Sequence, residues 1–375
     1  MKILIATDKF KGSLTAQEAS KAIHQGLNVA AEDIEVKELP LADGGEGTCE
    51  ILTAYSKGEF IKTKTRDPIG RTIQATYGLS PDKKTAFIEM ASASGLHLLK
   101  PQERNPLNTS SYGTGLMIAQ AMEGGAETII LGVGGTATND VGTGMATALG
   151  YRFYAGRTEL SRPVGDDLSR IERIDDSGAL PGIKKTRFIV LCDVDNPLYG
   201  PTGAARVFGP QKGADAEAVV QLDAGLKQFA GIVRSAGGPD LQFPGAGAAG
   251  GMGAGTKLFL NATLESGFEF ISRYAHLKDH IIDSDLVFTG EGSLDQQTAF
   301  GKVVKGVAAL AFRSGKPCIA MVGRCMLTTR QWKALHLQDV HALASQPSEE
   351  EMAMKNAYSL LVERAARALE MWKKK

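Results

Sequence analysis

The segment KILIATDKFKGSLTAQEASKAIHQGL, residues 2–27, contains a strand, a loop and a helix in immediate succession. The apolar run Lys2–Ala6 predicts a strand, and Thr15 with Glu18 three positions later fits a capping box at the start of a helix. The apolar face of that helix consists of Ala19, Ile23 and Leu27. The intervening loop, residues 7–13, therefore precedes a helix N-terminus, where free N–H groups and the helix dipole attract anions.

Short β-branched runs alternate with helical patterns along the rest of the chain. The strand candidates are Lys2–Ala6, Ile34–Leu39, Phe87–Met90, Thr128–Val133, Phe188–Cys192, Asp285–Thr289, Pro317–Val322 and Asp339–Leu343. Amphipathic stretches of helical length separate many of them, and the last predicted helix covers about residues 350–372. This alternation is typical of α/β proteins with parallel strands.

The middle of the chain differs from its two ends, which both have the pattern of βα units in one open sheet. Residues 60–85 are rich in β-forming side chains, and residues 201–255 are rich in loops. We therefore predict two α/β domains, in which a doubly wound domain is built from both chain ends and a second, mixed α/β domain is inserted. The predicted boundaries give residues 1–70 plus 280–375 for the first domain and 71–279 for the insertion.

The composition is that of a globular protein without a strong overall electric field. The 375 residues carry 42 basic and 42 acidic side chains, and 43% are hydrophobic. A balanced charge argues against a nucleic-acid-binding protein, so local groups must hold any anionic ligand. No apolar run approaches the ~20 residues of a membrane span, and the chain start lacks a signal-peptide core. We expect a cytoplasmic protein without membrane contact, whose four cysteines are reduced and buried.

Glycine is unusually frequent, at 44 residues or about 12% against a typical ~7%, and it clusters next to apolar runs. Such blocks turn the backbone sharply and bring it close to ligands. In residues 7–13, Lys11 adds a positive charge to the helix N-terminus. In residues 41–48, Asp43 and Glu46 could hold a metal or accept hydrogen bonds from hydroxyl groups. Taken alone, both blocks also fit ordinary capped or Asp-Gly turns.

The third block, GVGGTATND at residues 132–140, leaves a strand and enters a helix. It matches the G-x-G-x-x-G/A fingerprint of dinucleotide-binding folds, which leaves an NAD-dependent oxidoreductase of small hydroxy acids as an alternative. Two threonines, an asparagine and an aspartate suit phosphate and metal better than a packed dinucleotide turn. We therefore favour a phosphate cradle made of backbone N–H groups.

Two further blocks combine acids with a lysine. Asp193 follows a predicted strand, and Lys212 lies on a later Gly/Pro-rich loop, a combination suited to phosphoryl transfer. Residues 287–302 leave another strand, place Glu291 and Asp295 in a loop and start a helix with a lysine. A Walker A loop is excluded there, because valine follows that lysine where serine or threonine is required.

In their order along the chain, the five blocks resemble the motifs of the bacterial type 1 glycerate kinase family. The matching segments are DKFKGSLTA at 8–16, ADGGEGT at 42–48, GVGGTATND at 132–140, FGPQKGA at 208–214 and TGEGSLDQQT at 289–298. The resemblance runs from residue 1 to about 345. The chain departs from the family's usual Pro, Ser and Gly at Thr7, Lys9 and Val141, and Lys9 could alter the charge and substrate preference of the pocket.

The resemblance implies an ATP- and Mg²⁺-dependent kinase that phosphorylates D-glycerate, typically to 2-phosphoglycerate. It also implies a flavodoxin-like domain formed by both chain ends, with the active site in the cleft between this domain and the inserted one. Transfer to the 3-hydroxyl is the alternative product. A two-domain protein that binds a small acid without chemistry is an alternative of another class, and a homodimer is left open.

Within this framework, residue type and loop position suggest a role for each candidate. The substrate-binding candidates are Asp8, Lys11, Ser13, Asp43 and Glu46, of which Lys11 and Ser13 are assigned to the glycerate carboxylate. The ATP-binding candidates are Gly134, Gly135, Thr136, Asp140 and Lys212. The catalytic candidates are Asp193, as the base, and Lys11. The Mg²⁺ candidates are Glu291 and Asp295. Asp193 and Asp295 could exchange roles, and Asp140 could replace either.

Overall fold

The computed structural model describes residues 1–295 and 303–374. The chain divides into two compact units, which are named here the first unit (Met1–Asp43 with Phe268–Lys375) and the second unit (Gly44–Gly267). The first unit is thus built from both chain ends, and the second is one continuous insertion. None of the helices among the described residues is long and apolar enough to cross a membrane.

The elements follow each other in the alternating order that the sequence predicts. The strands are β1 (Lys2–Thr7), β2 (Glu35–Glu38), β3 (Glu59–Arg66), β4 (Thr72–Leu79), β5 (Thr85–Glu89), β6 (Thr128–Gly132), β7 (Arg152–Ala155), β8 (Thr158–Leu160), β9 (Arg173–Asp175), β10 (Arg187–Leu191), β11 (Thr263–Glu265), β12 (Leu286–Leu294), β13 (Cys318–Cys325) and β14 (Asp339–Ala344). The helices are α1 (Ala16–Ala30), α2 (Thr48–Ser56), α3 (Ala91–Ser94), α4 (Tyr112–Glu123), α5 (Thr143–Ala148), α6 (Ala204–Phe208), α7 (Ala216–Ser235), α8 (Ala248–Leu260), α9 (Gly267–Tyr274), α10 (Leu277–Ile282), α11 (Val303–Arg313), α12 (Thr329–Ala334), α13 (Glu350–Lys355) and α14 (Ala357–Lys373).

The five strands of the first unit form one parallel sheet in the order β14-β13-β12-β1-β2. Numbered within this unit, the order is 2-1-3-4-5, which is that of flavodoxin-like folds. The strand order reverses between β1 and β12, and in open α/β sheets ligands bind beyond the carboxyl ends of the strands at such a reversal. The connectivity therefore identifies one edge of this sheet as a ligand-binding position.

Helix α1 begins as the sequence predicts. The Thr15 hydroxyl accepts a hydrogen bond from the N–H of Glu18 at 3.2 Å, and the Glu18 carboxylate accepts one from the N–H of Thr15 at 2.9 Å. The apolar face of α1 packs with α14 against the sheet. The two helices come so close that a Cβ on Gly26 would lie 2.2 Å from the carbonyl oxygen of Val362.

The second unit contains a six-stranded sheet in the order β11-β10-β6-β5-β4-β3. The four strands from β11 to β5 are parallel, and β4 and β3 continue antiparallel. A small antiparallel sheet, β8-β7-β9, lies in the same unit. The carboxyl ends of β5, β6 and β10 thus meet at one edge, because neighbouring parallel strands end on the same side.

The unit boundaries, at residues 43/44 and 267/268, differ from the predicted 70/71 and 279/280. At the first boundary, β3 pairs along its whole length with β4 and belongs to the sheet of the second unit. At the second boundary, the ring of Phe268 packs on Gly306 of α11, within the first unit. Strand pairing sets the first boundary and side-chain packing sets the second, whereas local composition sets neither.

Two helical segments also differ from the sequence prediction. The expected helix over residues 350–372 is split at Asn356 into α13 and α14. The predicted loop-rich region contains α8, inside which Ala249, Gly250 and Gly251 have left-handed backbones. A Cβ on Gly250 would lie 2.0 Å from the carbonyl oxygen of Thr138, so glycine lets this segment approach the 132–140 block. The glycine run therefore allows a close packing contact at a kink in α8, where residues 249–251 are not helical.

The four cysteines are free, as expected, but only two of them are buried. Cys49 and Cys318 are buried, whereas Cys192 and Cys325 are partly exposed. Burial raises the pKa of the Cys192 thiol to about 11, so this side chain is a neutral thiol at neutral pH. The structure gives none of the four a role as a thiolate.

Candidate functional site

Asp8 and Glu291 lie on the two strands that flank the reversal of strand order in the first unit. Asp8 follows β1, and its N–H donates to the carbonyl oxygen of Gly290 in β12 at 2.9 Å. Both carboxylate residues are largely buried, each with 5% of its surface exposed. The sequence predicts a loop at Glu291, which is wrong, because β12 continues to Leu294. Strand pairing with β13 extends past the glycine residues that suggested a loop.

Asp8, Lys9 and Asp43 form a charged cluster at this edge. The Nζ atom of Lys9 lies 3.4 Å from Oδ1 of Asp43 and 3.8 Å from Oδ1 of Asp8. The backbone N–H of Lys9 also donates to Oδ1 of Asp8 at 2.7 Å. The structure thus brings together the predicted substrate residues Asp8 and Asp43, and it adds Lys9 between them.

Ser13 and Lys11, the other two candidates in the loop of residues 7–13, have different surroundings. The N–H and the hydroxyl of Ser13 both donate to the carbonyl oxygen of Phe10, at 2.9 and 3.0 Å, so the Ser13 side chain stabilises a tight turn. Lys11 is exposed. A Cβ on Gly292 would lie 3.0 Å from the backbone nitrogen of Lys11, so the missing side chain lets β12 approach the loop.

A chain of polar contacts leads from Asp295 to β13. The Ser293 hydroxyl donates to Oδ2 of Asp295 at 3.3 Å and accepts from Nε of Arg324 at 3.0 Å. Arg324 also forms an ion pair with Glu350 at 3.0 Å. Arg324 is not among the predicted candidates, although its position two residues after a predicted strand, beside an acid-bearing strand, could have identified it.

Glu291 and Asp295, the residues that the sequence predicts for Mg²⁺ binding, both lie in the first unit. Residues 1–295 and 303–374 contain no group of three or more acidic, histidine or cysteine side chains arranged around a metal position. Mg²⁺ commonly keeps several waters and binds through one or two carboxylates together with substrate phosphates. Either carboxylate therefore suits a Mg²⁺ ion that arrives with a nucleotide, rather than a permanent metal cage.

In the second unit, the loop after β6 has the features of a phosphate cradle. Within the described residues, no protein acceptor pairs with the N–H groups of Gly134 and Gly135. Gly135 has a left-handed backbone at φ 72°, and a Cβ on Gly134 would lie 2.7 Å from Cα of Gly45. Unpaired N–H groups on a turned backbone after a parallel strand are suited to binding an anion.

Lys212 lies beneath this loop and is 2% exposed. Its Nζ atom donates to the carbonyl oxygen of Thr138 at 2.6 Å and to the hydroxyl of Thr136 at 3.3 Å. Burial lowers the pKa of Lys212 to about 7, although the charge of Asp140 opposes this change. The structure brings Lys212 to the predicted loop as a buried support, rather than as an exposed side chain above it.

Asp140 is buried among internal hydrogen-bond donors. Its Oδ2 accepts from the N–H and the hydroxyl of Ser111 at 2.8 and 2.7 Å and from the N–H of Gly144 at 3.2 Å, while Oδ1 accepts from the N–H of Gly142 at 3.3 Å. Burial raises the pKa of Asp140. Because protein donors occupy both oxygens, these contacts favour a structural role for Asp140 over ligand binding.

Beside Asp140, the side chain of Asn139 is fully buried, and neither its amide oxygen nor its amide nitrogen has a partner among residues 1–295 and 303–374. The hydroxyl of the neighbouring Thr138 is also buried, and it has no partner in the part of the chain that the structure describes. An unsatisfied buried polar group costs about 1–3 kcal/mol. Such groups directly below the cradle fit a site that is completed by bound water or ligand.

The remaining candidates of the second unit lie at or near the same sheet edge. Asp193 follows β10, and its Oδ1 accepts from the N–H of Gly267 at 2.9 Å. Glu46 is exposed, and the neighbouring Gly45 packs against the cradle. Glu46 lies in the second unit, whereas Asp43 lies in the first. Glu89, which the sequence analysis missed, ends β5 and accepts from the N–H of Cys49 at 2.8 Å.

The structural context does not support the dinucleotide fingerprint at residues 132–137. That motif requires a helix to open directly at the glycines, so that the helix N-terminus faces the pyrophosphate. Here α5 begins only at Thr143, after a turn in which the Thr143 hydroxyl donates to the carbonyl oxygen of Asp140. The predicted helix start that includes Lys302, together with residues 296–301, lies outside the described residues.

The chain matches known proteins over almost its whole length. The model of the glycerate kinase family matches residues 3–373. The glycerate 2-kinase of Escherichia coli (strain K12) is 46% identical over 324 residues, which cover 86% of this chain and 85% of the relative. The glycerate kinase of Bacillus cereus (strain ATCC 10987 / NRS 248) is 42% identical over 377 residues, which cover 100% of this chain and 98% of the relative.

A solved structure assigned as a glycerate kinase 2 from Salmonella typhimurium LT2 superimposes with a TM-score of 0.84 at 41% sequence identity, and the match covers 100% of both chains. Sequence and fold therefore agree with the resemblance of the five motifs. Because the family model spans nearly every residue and the relatives match along most of their own length, this chain belongs to the glycerate kinase family.

Proposed function

We propose that this protein transfers the γ-phosphoryl group of ATP to the 2-hydroxyl of D-glycerate, giving 2-phosphoglycerate and ADP. The observation that carries the proposal is the sheet edge of the first unit, where the charged cluster Asp8–Lys9–Asp43 lies at the reversal of strand order. Family membership supplies the reaction class, with ATP as the phosphate donor, and the E. coli relative supplies the 2-hydroxyl as the acceptor.

In this proposal, the first unit binds glycerate. The substrate carries one carboxylate and two hydroxyl groups, so its site needs both cations and hydrogen-bond acceptors. Lys11 supplies an exposed ammonium for the carboxylate, and the carboxylates of Asp8 and Asp43 accept hydrogen bonds from the hydroxyls. Ser13 shapes the turn that presents Lys11, since its hydroxyl is directed to the carbonyl oxygen of Phe10.

The second unit binds the phosphates of ATP. The N–H groups of Gly134 and Gly135 have no protein acceptor among the described residues, and they are suited to phosphate oxygens. Thr136 and Lys212 stabilise this loop from below through their contact with each other at 3.3 Å. We assign Glu46, at the rim of the cradle, to a substrate hydroxyl, in keeping with its exposure.

The chemical step needs orientation of the hydroxyl and removal of its proton. The 2-oxygen forms a bond to the γ-phosphorus while the bond from that phosphorus to the β,γ-bridging oxygen breaks, and ADP leaves. We assign the proton to the carboxylate of Asp193, which its hydrogen bond to Gly267 holds in place. Asp295, held by Ser293, is the alternative base. The location of the active site between the two units stays a prediction.

We propose that Glu291 and Asp295 hold the Mg²⁺ that accompanies ATP. When bound, Mg²⁺ offsets the charge on the phosphate oxygens. The pair of oxygen ligands and the contact of Asp295 with Ser293 support this assignment. A titration of the rate against Mg²⁺ concentration tests it, because Asp295→Ala should need a higher Mg²⁺ concentration for half-maximal turnover.

The proposed function is tested by ³¹P NMR of the purified protein with ATP, Mg²⁺ and D-glycerate. A signal of 2-phosphoglycerate supports the proposal, and a signal of 3-phosphoglycerate keeps the kinase but reverses the substrate orientation. Without any glycerate-dependent phosphoester, the proposal fails. Asp193→Asn should then lower kcat by about 10²–10⁴, the usual contribution of a general base, and near-normal turnover of this variant would move the role to Asp295.

A further inference from the structure

Arg324, near the end of β13, is held by two side chains from different elements of the first unit. Its Nε atom donates to the Ser293 hydroxyl at 3.0 Å, and its Nη1 atom donates to both carboxylate oxygens of Glu350, at 3.0 and 3.2 Å. Ser293 lies opposite Arg324 in the register of β12 and β13, and Glu350 begins α13. Contacts at two different nitrogens fix the plane of the guanidinium group.

The chemistry of the partners sets the direction of the Ser293 hydroxyl proton. An arginine N–H can only donate, so the oxygen of Ser293 accepts from Arg324. A carboxylate can only accept, so Ser293 donates its single hydroxyl proton to Oδ2 of Asp295, at 3.3 Å. Ser293 and Asp295 also make interactions beyond these, and neither direction depends on them. Arg324 therefore acts on Asp295 through the serine.

Asp295 follows the end of β12, at the sheet edge where we assign the Mg²⁺ that accompanies ATP. A side chain that binds a metal is commonly oriented by hydrogen bonds from groups that do not themselves touch the metal. Loss of such a group typically costs about 10–100-fold in metal affinity. The chain of contacts from Arg324 through Ser293 to Asp295 has this arrangement.

We propose that Arg324 is a positioning residue for Asp295, which orients the Ser293 hydroxyl and thereby holds the Asp295 carboxylate for Mg²⁺. Glu350 anchors the guanidinium group from α13. The inference rests on the proposed function, because it takes Asp295 to be a Mg²⁺ ligand. It gives a task to an arginine that lies outside the five sequence motifs and that the proposed function does not use.

The first test is the binding of Mn²⁺ to the full-length protein in the presence of adenylyl imidodiphosphate, a non-hydrolysable ATP analogue. Mn²⁺ takes the same oxygen ligands as Mg²⁺, and electron paramagnetic resonance measures its free concentration. We expect Mn²⁺ to bind about 10-fold more weakly to Asp295→Ala and to Ser293→Ala. Arg324→Met should weaken binding about 5-fold, since Arg324 acts one step further from the metal and Asp295 has other contacts.

The direction of the change separates positioning from charge. By charge alone, removal of a cation near the metal would tighten Mn²⁺ binding, because the repulsion between two cations is lost. Weaker binding to Arg324→Met therefore reports the orientation of Asp295. The matched control is Arg234→Met, which removes an exposed arginine that pairs with Asp240 at 3.0 Å in the second unit and should leave Mn²⁺ affinity unchanged.

The second test uses double variants in the same Mn²⁺ titration. If Arg324 acts through Ser293, adding Arg324→Met to Ser293→Ala should change the affinity by less than about two-fold, and so should adding it to Asp295→Ala. Losses that multiply in full would show that Arg324 acts by another route, and they would overturn the proposal. Unchanged or tighter binding to Arg324→Met alone would overturn it as well.

The Mn²⁺ titration needs no turnover, so it decides the inference even if the wild type forms no phosphoester from glycerate and the proposed function fails. Weaker binding to Asp295→Ala with unchanged binding to Arg324→Met would overturn the inference and leave the proposed function intact. Unchanged binding to Asp295→Ala would overturn the Mg²⁺ assignment and the inference with it. The Arg324 side chain is 43% exposed, so we expect Arg324→Met to fold. If thermal unfolding shows otherwise, Arg324→Gln is measured in its place with the same expectations.

Discussion

At the residue scale, Lys212 shows how strongly its surroundings change a side chain that sequence analysis treats as an ordinary cation. Its ammonium group is buried below the cradle, where the carbonyl oxygen of Thr138 and the hydroxyl of Thr136 accept its hydrogen bonds. The pKa of Lys212 falls from 10.5 to about 7, because burial penalises the charged form more than Asp140 favours it. The charge of the Lys212 side chain therefore changes near neutral pH.

The lowered pKa predicts a pH-dependent contribution to stability. Between about pH 7 and pH 10.5, Lys212 binds a proton in the unfolded chain but not in the folded protein. The contribution of Lys212 to the free energy of unfolding therefore rises with pH in this range. We expect the difference in unfolding free energy, wild type minus Lys212→Met, to increase between about pH 7 and pH 9, by up to about 1.4 kcal/mol per pH unit. Urea unfolding at several pH values measures it.

The control for this prediction is Lys227→Met, which removes an exposed lysine from α7 of the same unit. Its difference from the wild type should stay nearly constant over the same pH range. A constant difference for Lys212→Met as well would show that Lys212 stays charged in the folded protein throughout.

At the element scale, the first unit depends on a close contact between helices from opposite ends of the chain. Helices α1 and α14 pack together on the parallel sheet, with Ala19, Ile23, Leu361 and Ala365 buried in the shared core. Gly26 lies at a close approach of the two backbones. This contact joins the C-terminal helix to the βα unit that carries the candidate substrate loop.

The contact at Gly26 predicts opposite effects for two glycine-to-alanine substitutions. In Gly26→Ala, the added Cβ would lie 2.2 Å from the carbonyl oxygen of Val362, so the helices must separate and we expect a loss of about 1–3 kcal/mol. In Gly231→Ala on α7, the added Cβ would meet nothing within 4 Å, so the better helix propensity should stabilise the protein by about 0.5–1 kcal/mol.

Urea unfolding of both variants measures the two changes. Gly231→Ala is the matched control, since it makes the same chemical change in a helix interior without the contact. Equal effects of the two substitutions would contradict the packing argument at Gly26.

At the scale of the whole molecule, the glycerate carboxylate candidates lie in the first unit and the phosphate candidates lie in the second. The first unit carries the charged cluster at the reversal of strand order, and the second carries the glycine cradle after β6. In both units the candidates follow the carboxyl ends of parallel strands, where the backbone turns and helix N-termini begin. The two substrates should therefore affect separate segments of the chain.

Hydrogen exchange of the full-length protein tests this division. ATP alone should slow exchange most in peptides that cover residues 132–140, and D-glycerate alone should slow it most in peptides that cover residues 8–14. Each ligand offers hydrogen-bond partners to the loop that we assign to it, and such bonds protect backbone amides. The reverse pattern would exchange the ligand assignments of the two units.

Much of the architecture could be predicted from the sequence, because it rests on local patterns. The eight predicted strands all occur, and the capping box of α1 forms as expected. The kinked helical segment at residues 248–260, with left-handed residues at 249–251, could not be predicted, since glycine is a poor helix former. The continuation of β12 through Glu291 likewise depends on pairing with β13.

The sequence by itself determined the α/β class, the order of the motifs and therefore the family, because these follow from residue types and short-range periodicity. Only the tertiary structure decided which candidates share surroundings. It placed Lys9 between Asp8 and Asp43, buried Lys212 below the cradle and enclosed Asp140 among protein donors. The physical reason is that charge, burial and hydrogen bonding depend on neighbours that are distant in the chain, and only folding brings these together.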